Sequence, residues 1–145
     1  MENVLDYIEY HVEEIDFELK NPEILAFWIN ETIKAEEDVL GGPLNFIFCS
    51  DEYLYEMNMQ YLQHDTYTDV ITFPMSDEHV EGDIFISVDR VADNAKEMGI
   101  TFERELHRVM IHGVLHLLGY DDLSDEDEAN MRQMEDKYLA KLPLK

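Results

Sequence analysis

The stretch from His107 to Asp122, HRVMIHGVLHLLGYDD, constrains the fold more than any other part of the sequence. From Val109 to Leu118 this stretch is apolar on nearly every side, which is typical of a helix buried in a protein core. His112 and His116 interrupt this segment four residues apart, so their imidazoles lie on one helix face, about one turn from each other. Gly119 then favours a left-handed helix end that turns the chain back.

The spacing H-x-x-x-H-x-x-G-x-x-D predicts a metal site. His112, His116 and Asp122 provide two nitrogens held by a helix and one oxygen from the turn after it, which leaves a position for water. The alternative is a pair of hydrogen-bonded core histidines, because an unpaired buried polar group costs about 1–3 kcal/mol. The register with Gly119 and Asp122 favours the metal. His107 lies outside the spacing, and we expect it at the surface or behind a ligand.

Gly113 narrows the kind of metal site. A zinc protease of the H-E-x-x-H type places its general base directly after the first histidine, where this chain has Gly113. Because glycine cannot act as a general base, a zinc protease of this type is disfavoured. Glycine inside a helix costs about 1 kcal/mol relative to alanine, so we expect this residue to permit close approach of another backbone or of a substrate. Imidazole ligands suit zinc, and we expect one Zn²⁺ per chain.

These residues resemble a known family. The segment HGVLHLLGYDD resembles the H-G-x-L-H-L-x-G-Y-D-H signature of the YbeY family of bacterial metal-dependent endoribonucleases. Upstream, residues 58–73 (NMQYLQHDTYTDVITF) resemble that family's asparagine, tyrosine and T-D-V-L-S-F segment, and residues 81–84 resemble its G-D-I segment. The motifs occur in the family's order over about half of the chain, which makes the match more specific than any one of them.

Two positions depart from the family pattern. Asp122 stands where the family has its third histidine, and Leu62 stands where it usually carries a catalytic arginine. A carboxylate is also a zinc ligand, so the first change is chemically mild. Leu62 in place of arginine removes a cation that would bind phosphate, and His64 is the nearby candidate to replace it. Asp69 and Asp83 match acidic positions of the family motifs, and their roles stay open.

The resemblance implies a single-strand-specific endoribonuclease of ribosomal RNA maturation and ribosome quality control. The predicted reaction is hydrolysis of an RNA phosphodiester by water or by the RNA's own 2′-hydroxyl, with zinc held by His112, His116 and Asp122. The candidate catalytic residues are His64 and Asp121; Asp121 is a general base, an orienting residue or simply a solvated acid. Expected partners are single-stranded RNA, small-subunit ribosomal RNA or the ribosome, and no DNA.

Two other classes of protein stay open. One is a metallohydrolase that acts on peptides or small molecules, which activity on such a substrate and none on RNA would identify. The other is a non-catalytic ribosome-assembly protein with a structural metal, which the absent arginine favours. A folded and active protein after removal of the metal would argue against a purely structural ion.

The charge balance opposes generic binding to nucleic acid. The 145 residues include 34 acidic and 10 basic ones, for a formal net charge of −24, whereas affinity for phosphate depends on lysine and arginine. An RNA substrate therefore requires local cations, namely the metal and residues such as Arg90, Lys96, Arg104 and Arg108, or a basic partner protein. Solvation of the surface accounts for most of the acidity.

Length and cysteine content favour one intracellular domain. The chain suits a single YbeY-like metallohydrolase domain, residues 1–145, which at this size buries about 70% of its unfolded surface. Cys49 is its single cysteine, so an intrachain disulfide is excluded and a reducing compartment is favoured. Neither a signal peptide nor a segment long enough to span a membrane is predicted. We therefore expect a cytoplasmic protein without a membrane partner.

Turn and cap residues divide the rest of the chain into helices and strands. Asn21 and Pro22 predict the start of a first helix, and Ser50 predicts that of a second. Asp89 is expected to cap the third helix, and Thr101 to begin the helix that carries the histidines. Each of these residues satisfies or replaces an amide that the first turn of a helix leaves without a partner.

The predicted elements define the fold class. Ser124, with Asp127 three residues later, resembles a capping box for a last helix that ends before Pro143. The predicted strands are residues 4–9, 44–49, 68–73 and 84–88; the first could equally start a helix, and the last two pair. The order β-α-β-α-β-β-α-α-α predicts an α+β domain, in which five helices pack on a mixed sheet of about four strands and the metal site lies at the end of a buried central helix.

Overall fold

The computed structural model describes residues 8–37, 43–63, 66–76 and 80–144. Strands and helices follow one another in the predicted order, and the α+β fold with five helices and a four-stranded mixed sheet is confirmed. The elements are β1 Ile8–Glu13, α1 Pro22–Glu37, β2 Leu44–Cys49, α2 Asp51–Leu62, β3 Val70–Pro74, β4 Gly82–Ser87, α3 Val88–Met98, α4 Phe102–Leu117 and α5 Asp125–Leu139.

The sheet has the strand order β1-β2-β4-β3. β2 pairs in parallel with both β1 and β4, and β3 runs antiparallel along β4. The sequence of β2, LNFIFC, is almost entirely apolar, as expected of a central strand covered on both faces. Phe46, Phe48 and Cys49 are fully buried, and the single cysteine is a free thiol. The predicted pairing of β3 with β4 is confirmed.

Strand boundaries differ from the predicted ones by a few residues. The first strand runs from Ile8 to Glu13 rather than over residues 4–9, of which residues 4–7 lie outside the described part of the chain. β3 begins at Val70 instead of Thr68 and includes Pro74 as its last residue. Proline is tolerated there because β3 lies at the edge of the sheet and needs no amide donor on its open side.

Three of the predicted helix caps are present. The hydroxyls of Ser50, Thr101 and Ser124 each accept a hydrogen bond from the amide three residues later, at 3.1, 3.2 and 3.1 Å. Such side chains occupy amides that the first turn leaves unpaired, with a stabilisation of about 1 kcal/mol each. α4 and α5 therefore begin where the sequence predicts. Across the ranges that the structure describes, no helix is long and apolar enough to cross a membrane.

The predicted cap of α3 is wrong. Ser87, the last residue of β4, accepts the amide of Arg90 at 3.1 Å, so the strand leads directly into the helix. Asp89 lies within the first turn, where its carboxylate accepts the amide of Asp51 at 2.9 Å. The carboxylate therefore supports the start of α2 instead of that of its own helix. Gly99 ends α3 in a left-handed conformation, as its position predicts.

Gly113 allows α4 to approach the sheet closely. A Cβ atom at this position would lie 2.8 Å from Cγ2 of Ile84, 3.2 Å from its Cδ1 and 3.4 Å from Cγ2 of Thr72. The first distance is shorter than real Cβ contacts, so no larger residue fits without movement. The expectation that Gly113 accommodates another backbone or a substrate is wrong, because the close neighbours are side chains of β3 and β4. The glycine sets how deeply the histidine helix sits on the sheet.

We predict that Gly113→Ala destabilises the protein by about 1–2 kcal/mol, because overpacking outweighs the better helix propensity of alanine. The melting temperature should fall by several degrees. A double-mutant cycle with Ile84→Ala tests the cause: the alanine at position 113 should cost less once the isoleucine methyl groups are absent. A higher melting temperature for Gly113→Ala alone would show that α4 can move away from the sheet at little cost.

Candidate metal centre

α4 ends in a hydrogen-bonded turn that reverses the chain. The amide of Gly119 donates to the carbonyl of His116, and the amide of Tyr120 donates to that of Leu115, both at 3.0 Å. These two bonds form a Schellman motif. Gly119 has a φ of 105°, which side chains with a Cβ adopt only at a cost. The turn directs the following residues back towards the helix end, and this reversal delivers Asp122.

Helix α1 holds this turn in place from the other side. The hydroxyl of Tyr120 donates to Oε1 of Glu36, and the hydroxyl of Tyr138 on α5 donates to Oε2 of the same carboxylate. The indole of Trp28 also donates to the carbonyl of Tyr138, at 2.8 Å. This partly exposed carboxylate accepts two hydroxyls and so links three parts of the chain. The turn after α4 is therefore fixed relative to both α1 and α5.

His112, His116 and Asp122 converge at the end of α4. The Nε2 atoms of both histidines lie 3.6 Å from Oδ2 of Asp122, and ligand atoms of all three residues lie within 4.8 Å of one another. The two imidazole rings are nearly perpendicular, with centroids 4.6 Å apart. All three residues are partly exposed. The group is therefore accessible from solvent while its two histidines are mounted on a buried helix.

This donor set fits a tetrahedral metal ion. Bond lengths of about 2.0–2.2 Å to nitrogen and oxygen place neighbouring ligands about 3.3–3.5 Å apart, close to the 3.6 Å observed from Asp122 to each histidine. Two neutral imidazoles and one carboxylate suit zinc and other divalent transition metals. Three protein ligands leave one position for water or substrate, as in catalytic rather than purely structural sites.

Glu135 supports the first histidine from behind. Its Oε2 lies 2.7 Å from Nδ1 of His112, and its Oε1 accepts a hydrogen bond of 2.8 Å from Arg108. Arg108 also donates to Asp136 at 2.8 Å. A carboxylate on Nδ1 holds the proton on that nitrogen and leaves the lone pair of Nε2 free for a metal. The interaction also connects α5, which carries Glu135, to α4, which carries His112. It is shielded from solvent, since Glu135 is only 5% exposed.

The pKa values in this network follow from burial and pairing. Burial alone lowers the pKa of His112, but the hydrogen bond and charge of Glu135, with the charges of Asp122 and Asp69, outweigh it and the pKa is raised. Burial favours a raised pKa for Glu135, yet hydrogen bonds from His112 and Arg108 hold it below its ordinary value. Glu135 is therefore a carboxylate, and it strengthens His112 as an electron donor.

A cavity of about 250 Å³ lies beside the metal group and is strongly polar. Burial is the main cause that raises the pKa of both Asp69 and Glu105, which line it. Glu105 is 4% exposed, and its Oε1 is buried without a hydrogen-bond partner within the described part of the chain. Burial of such an oxygen without a hydrogen bond destabilises the folded protein by about 1–3 kcal/mol. The remaining lining residues are Val70, Arg108, Val109, His112, Asp122, Arg132 and Glu135.

None of the other described residues singled out from the sequence belongs to the converging group. His107 is buried against Trp28, with ring centroids 6.4 Å apart, so the prediction of a surface residue or one behind a ligand is wrong. The carboxylate of Asp83 accepts a hydrogen bond of 3.1 Å from the side-chain Nδ2 of Asn45 on the neighbouring strand. Asp121 is exposed and is not among the three converging residues. His64 lies outside the described residues.

The position of the missing arginine lies beside the site. Leu62, which is 41% exposed, lines a cavity of about 280 Å³ together with Val70, and Val70 also lines the polar cavity. The family's asparagine, Asn58, is buried and donates to the carbonyl of Thr66 at 2.9 Å. Its role here is to shape the segment that leads to Asp69.

Sequence reasoning missed Glu105, Arg132 and Glu135. The signal for Glu135 is its position between Met131 and Tyr138, which places an acid in the buried stripe of α5. A carboxylate at such a position requires a partner, since lone buried charges are costly. The pattern could not name the partner, because His112 and Arg108 lie on another helix, 23 and 27 residues earlier.

The fold and the site together define an α+β protein with a candidate metal centre at the end of its buried helix. A family model described as Endoribonuclease YbeY matches residues 7–143. The chain belongs to this family.

Two relatives and one solved structure agree with this assignment. A protein named Endoribonuclease YbeY from Amoebophilus asiaticus is 51% identical over 134 residues, 91% of this chain and 90% of the relative. Another of that name, from Flavobacterium psychrophilum, is 50% identical and covers 87% and 90%. The solution structure of a Thermotoga maritima protein is 34% identical, with a TM-score of 0.65 over 92% of this chain and 88% of the other.

We predict that Glu135→Ala weakens binding of a divalent ion about 10-fold to 100-fold, because His112 loses the partner that fixes its tautomer and orientation. Chelator competition with Zn²⁺ as the probe measures the change, and Glu135→Gln should recover part of it. The matched control is Glu128→Ala, which removes an exposed carboxylate near the same histidine. Equal affinities for the Glu135→Ala and Glu128→Ala proteins would contradict the supporting role.

Proposed function

We propose that this protein is a zinc-dependent endoribonuclease that cleaves single-stranded RNA, with His112, His116 and Asp122 as the metal ligands. The observation that supports this most directly is the convergence of three ligand atoms within 4.8 Å in the segment that carries the family signature. We extend the proposal to ribosomal RNA maturation and ribosome quality control, with small-subunit ribosomal RNA or the ribosome as the partner. This extension rests on the family to which the chain belongs.

The residues around the metal group have distinct roles in this proposal. A bound zinc ion supplies Lewis acidity, which lowers the pKa of water or stabilises charge on a phosphoryl oxygen. Glu135 keeps the Nδ1 proton of His112 in place, and the turn at Gly119 holds Asp122 opposite the two imidazoles. Because α4 is packed on the sheet, these donors are arranged before a ligand arrives. Little reorganisation is then needed at the moment of reaction.

Asp121 and His64 are the proposed catalytic residues around this centre. Asp121 is an exposed carboxylate directly before the proposed ligand, so it can accept a proton from the attacking hydroxyl or water in a suitable substrate pose. His64 follows Leu62 by two residues, and we propose that it contributes a hydrogen bond or positive charge to the phosphate. Both assignments rest on sequence position beside the site.

A second candidate function is a non-catalytic ribosome-assembly protein with a structural metal. One observation favours it: the cavity beside Leu62 is lined by apolar and uncharged polar residues, with no lysine or arginine among its described lining. A phosphate bound there lacks the charge stabilisation that arginine provides. A basic partner protein that presents the RNA would reconcile this cavity and the net charge of −24 with catalysis. Chelation distinguishes the two functions.

We predict that the purified protein contains about one zinc ion per chain and cleaves single-stranded RNA only while the ion is bound. Combined substitution of His112→Ala and His116→Ala should abolish both properties, measured by elemental analysis and by cleavage of a labelled oligoribonucleotide before and after chelation. Full metal content in the doubly substituted protein would refute the ligand assignment. Full cleavage after complete removal of the metal would refute the catalytic proposal.

We also predict that Asp122, and not Asp121, is the third ligand. Asp122→Ala should weaken zinc binding, while Asp122→His should retain it because imidazole is an equally suitable ligand. Asp121→Ala should change the cleavage rate more than the zinc affinity. The measurements are chelator competition and cleavage rates for the same three variants. Loss of zinc from Asp121→Ala with normal binding by Asp122→Ala would assign the ligand to the neighbouring carboxylate.

A further inference from the structure

A phosphodiester substrate is held more strongly where the chain supplies positive charge near the metal. The surroundings of the metal group are instead rich in carboxylates, since Asp69, Glu105, Asp122 and Glu135 line one cavity. The position of the family's arginine is Leu62, which carries no charge. A phosphate that approaches these acids is repelled unless a cation offsets them.

Two of the cations expected from the sequence are already neutralised. Arg90 pairs with Asp51, with Nη2 at 2.7 Å from Oδ2 and a second hydrogen bond of 3.3 Å from Nε. Arg108 donates to Glu135 and to Asp136, at 2.8 Å each. Release of Arg108 towards a substrate would leave the buried Glu135 without one of its partners, which is costly. Neither arginine is therefore free to bind phosphate.

A third expected cation, Arg104, lies in the first turn of α4. Arg104 is exposed and lines a cavity of about 720 Å³ together with His107, Asp136 and Leu139. Neither His112 nor Asp122 is part of that cavity lining. Arg104 is also absent from the lining of the two cavities that include His112 and Asp122, which makes it a suitable reference position.

Arg132 on α5 lies beside the metal group and makes no ion pair with the residues that the structure describes. It lines two cavities that His112 and Asp122 also line, of about 550 and 250 Å³. It is exposed, and within the described ranges its guanidinium takes part in no ion pair or hydrogen bond. Its positive charge acts to lower the pKa of the buried Glu105, against the larger effect of burial. The electrostatic influence of Arg132 therefore extends to the interior of the polar cavity.

We propose that Arg132 binds a phosphate of the RNA substrate beside His112 and Asp122 and so provides the charge that Leu62 does not. This inference rests on the proposed function of the site. A guanidinium offers parallel N–H donors that match two phosphate oxygens, and it retains its charge at any physiological pH. Because Arg132 has no partner among the described residues, contact with phosphate breaks no existing ion pair.

Binding measurements test this role without relying on catalysis. The probe is a fluorescent single-stranded 2′-O-methyl oligoribonucleotide, and its affinity for the zinc-loaded protein is measured by anisotropy over a range of salt concentrations. Arg132→Gln should weaken binding by about 10-fold or more and reduce the slope of log affinity against log salt by about 0.7, the value for one phosphate contact on a single strand. Arg132→Lys should retain the slope, because the charge remains.

Arg104→Gln is the matched control, since it removes the same charge from a position that lines neither cavity beside the metal group. It should leave both the affinity and the salt slope nearly unchanged, and the melting temperatures of both glutamine variants should match that of the unmodified protein. In cleavage assays Arg132→Gln should lower kcat/KM by about 10-fold to 100-fold. Arg132→Lys should recover only part of this loss, because an ammonium cannot make the paired contact.

The outcomes separate this inference from the proposed function. Equal binding and equal salt slopes for Arg132→Gln and Arg104→Gln would overturn the role of Arg132, even if the protein is a zinc-dependent endoribonuclease. Failure of the unmodified protein to cleave RNA, with a normal zinc content, would overturn the proposed function. In that case a reduced salt slope for Arg132→Gln alone would still support phosphate binding by this arginine.

Discussion

The arrangement of the site depends on one buried carboxylate, Glu135, and on the two groups that it joins. Its oxygens contact Nδ1 of His112 at 2.7 Å and a guanidinium nitrogen of Arg108 at 2.8 Å. Each contact supports a different property: the first fixes the tautomer of a proposed ligand, and the second offsets the cost of burying a negative charge. Loss of either partner would leave a buried charge unbalanced. The contact of α5 with α4 is therefore favourable only while Glu135 keeps both His112 and Arg108.

Packing of α4 on the sheet supplies the rigidity that this network needs. Gly113 lets the helix sit so close to Ile84 and Thr72 that a larger residue would force a shift, and the left-handed Gly119 ends the helix where Asp122 can return. Gly113 thus determines how closely α4 approaches the sheet, and Gly119 determines the direction of the chain after α4. Because tightly packed interiors resist displacement, the positions of the imidazoles follow from the packing of the helix.

Local patterns in the sequence predicted most of the fold, and tertiary contacts account for what they missed. The two histidines, the caps at Ser50, Thr101 and Ser124, and the β-branched strands depend on neighbours within a few residues, which a pattern can report. The wrong cap at Asp89 arose because Ser87 belongs to the preceding strand and caps the helix at the same time. His107 was misplaced since its contact with Trp28 joins two helices far apart in sequence. Glu135 and Arg132 could not be assigned for the same reason, as their significance depends on which helix α5 packs against.

The electrostatics of the site show why net charge is a poor guide to its substrate. The value of −24 describes the whole chain, and charges on exposed side chains are screened within about 10 Å at moderate salt. Close to the metal group the relevant charges are few. Arg108 and His112 compensate the charge of Glu135, and burial raises the pKa of Asp69 and Glu105. In the proposed function, a bound divalent ion and Arg132, which makes no ion pair within the described part of the chain, add positive charge where a phosphate would lie. The acidic surface lowers the rate of encounter with RNA, whereas these local groups govern how strongly a correctly placed phosphate is held.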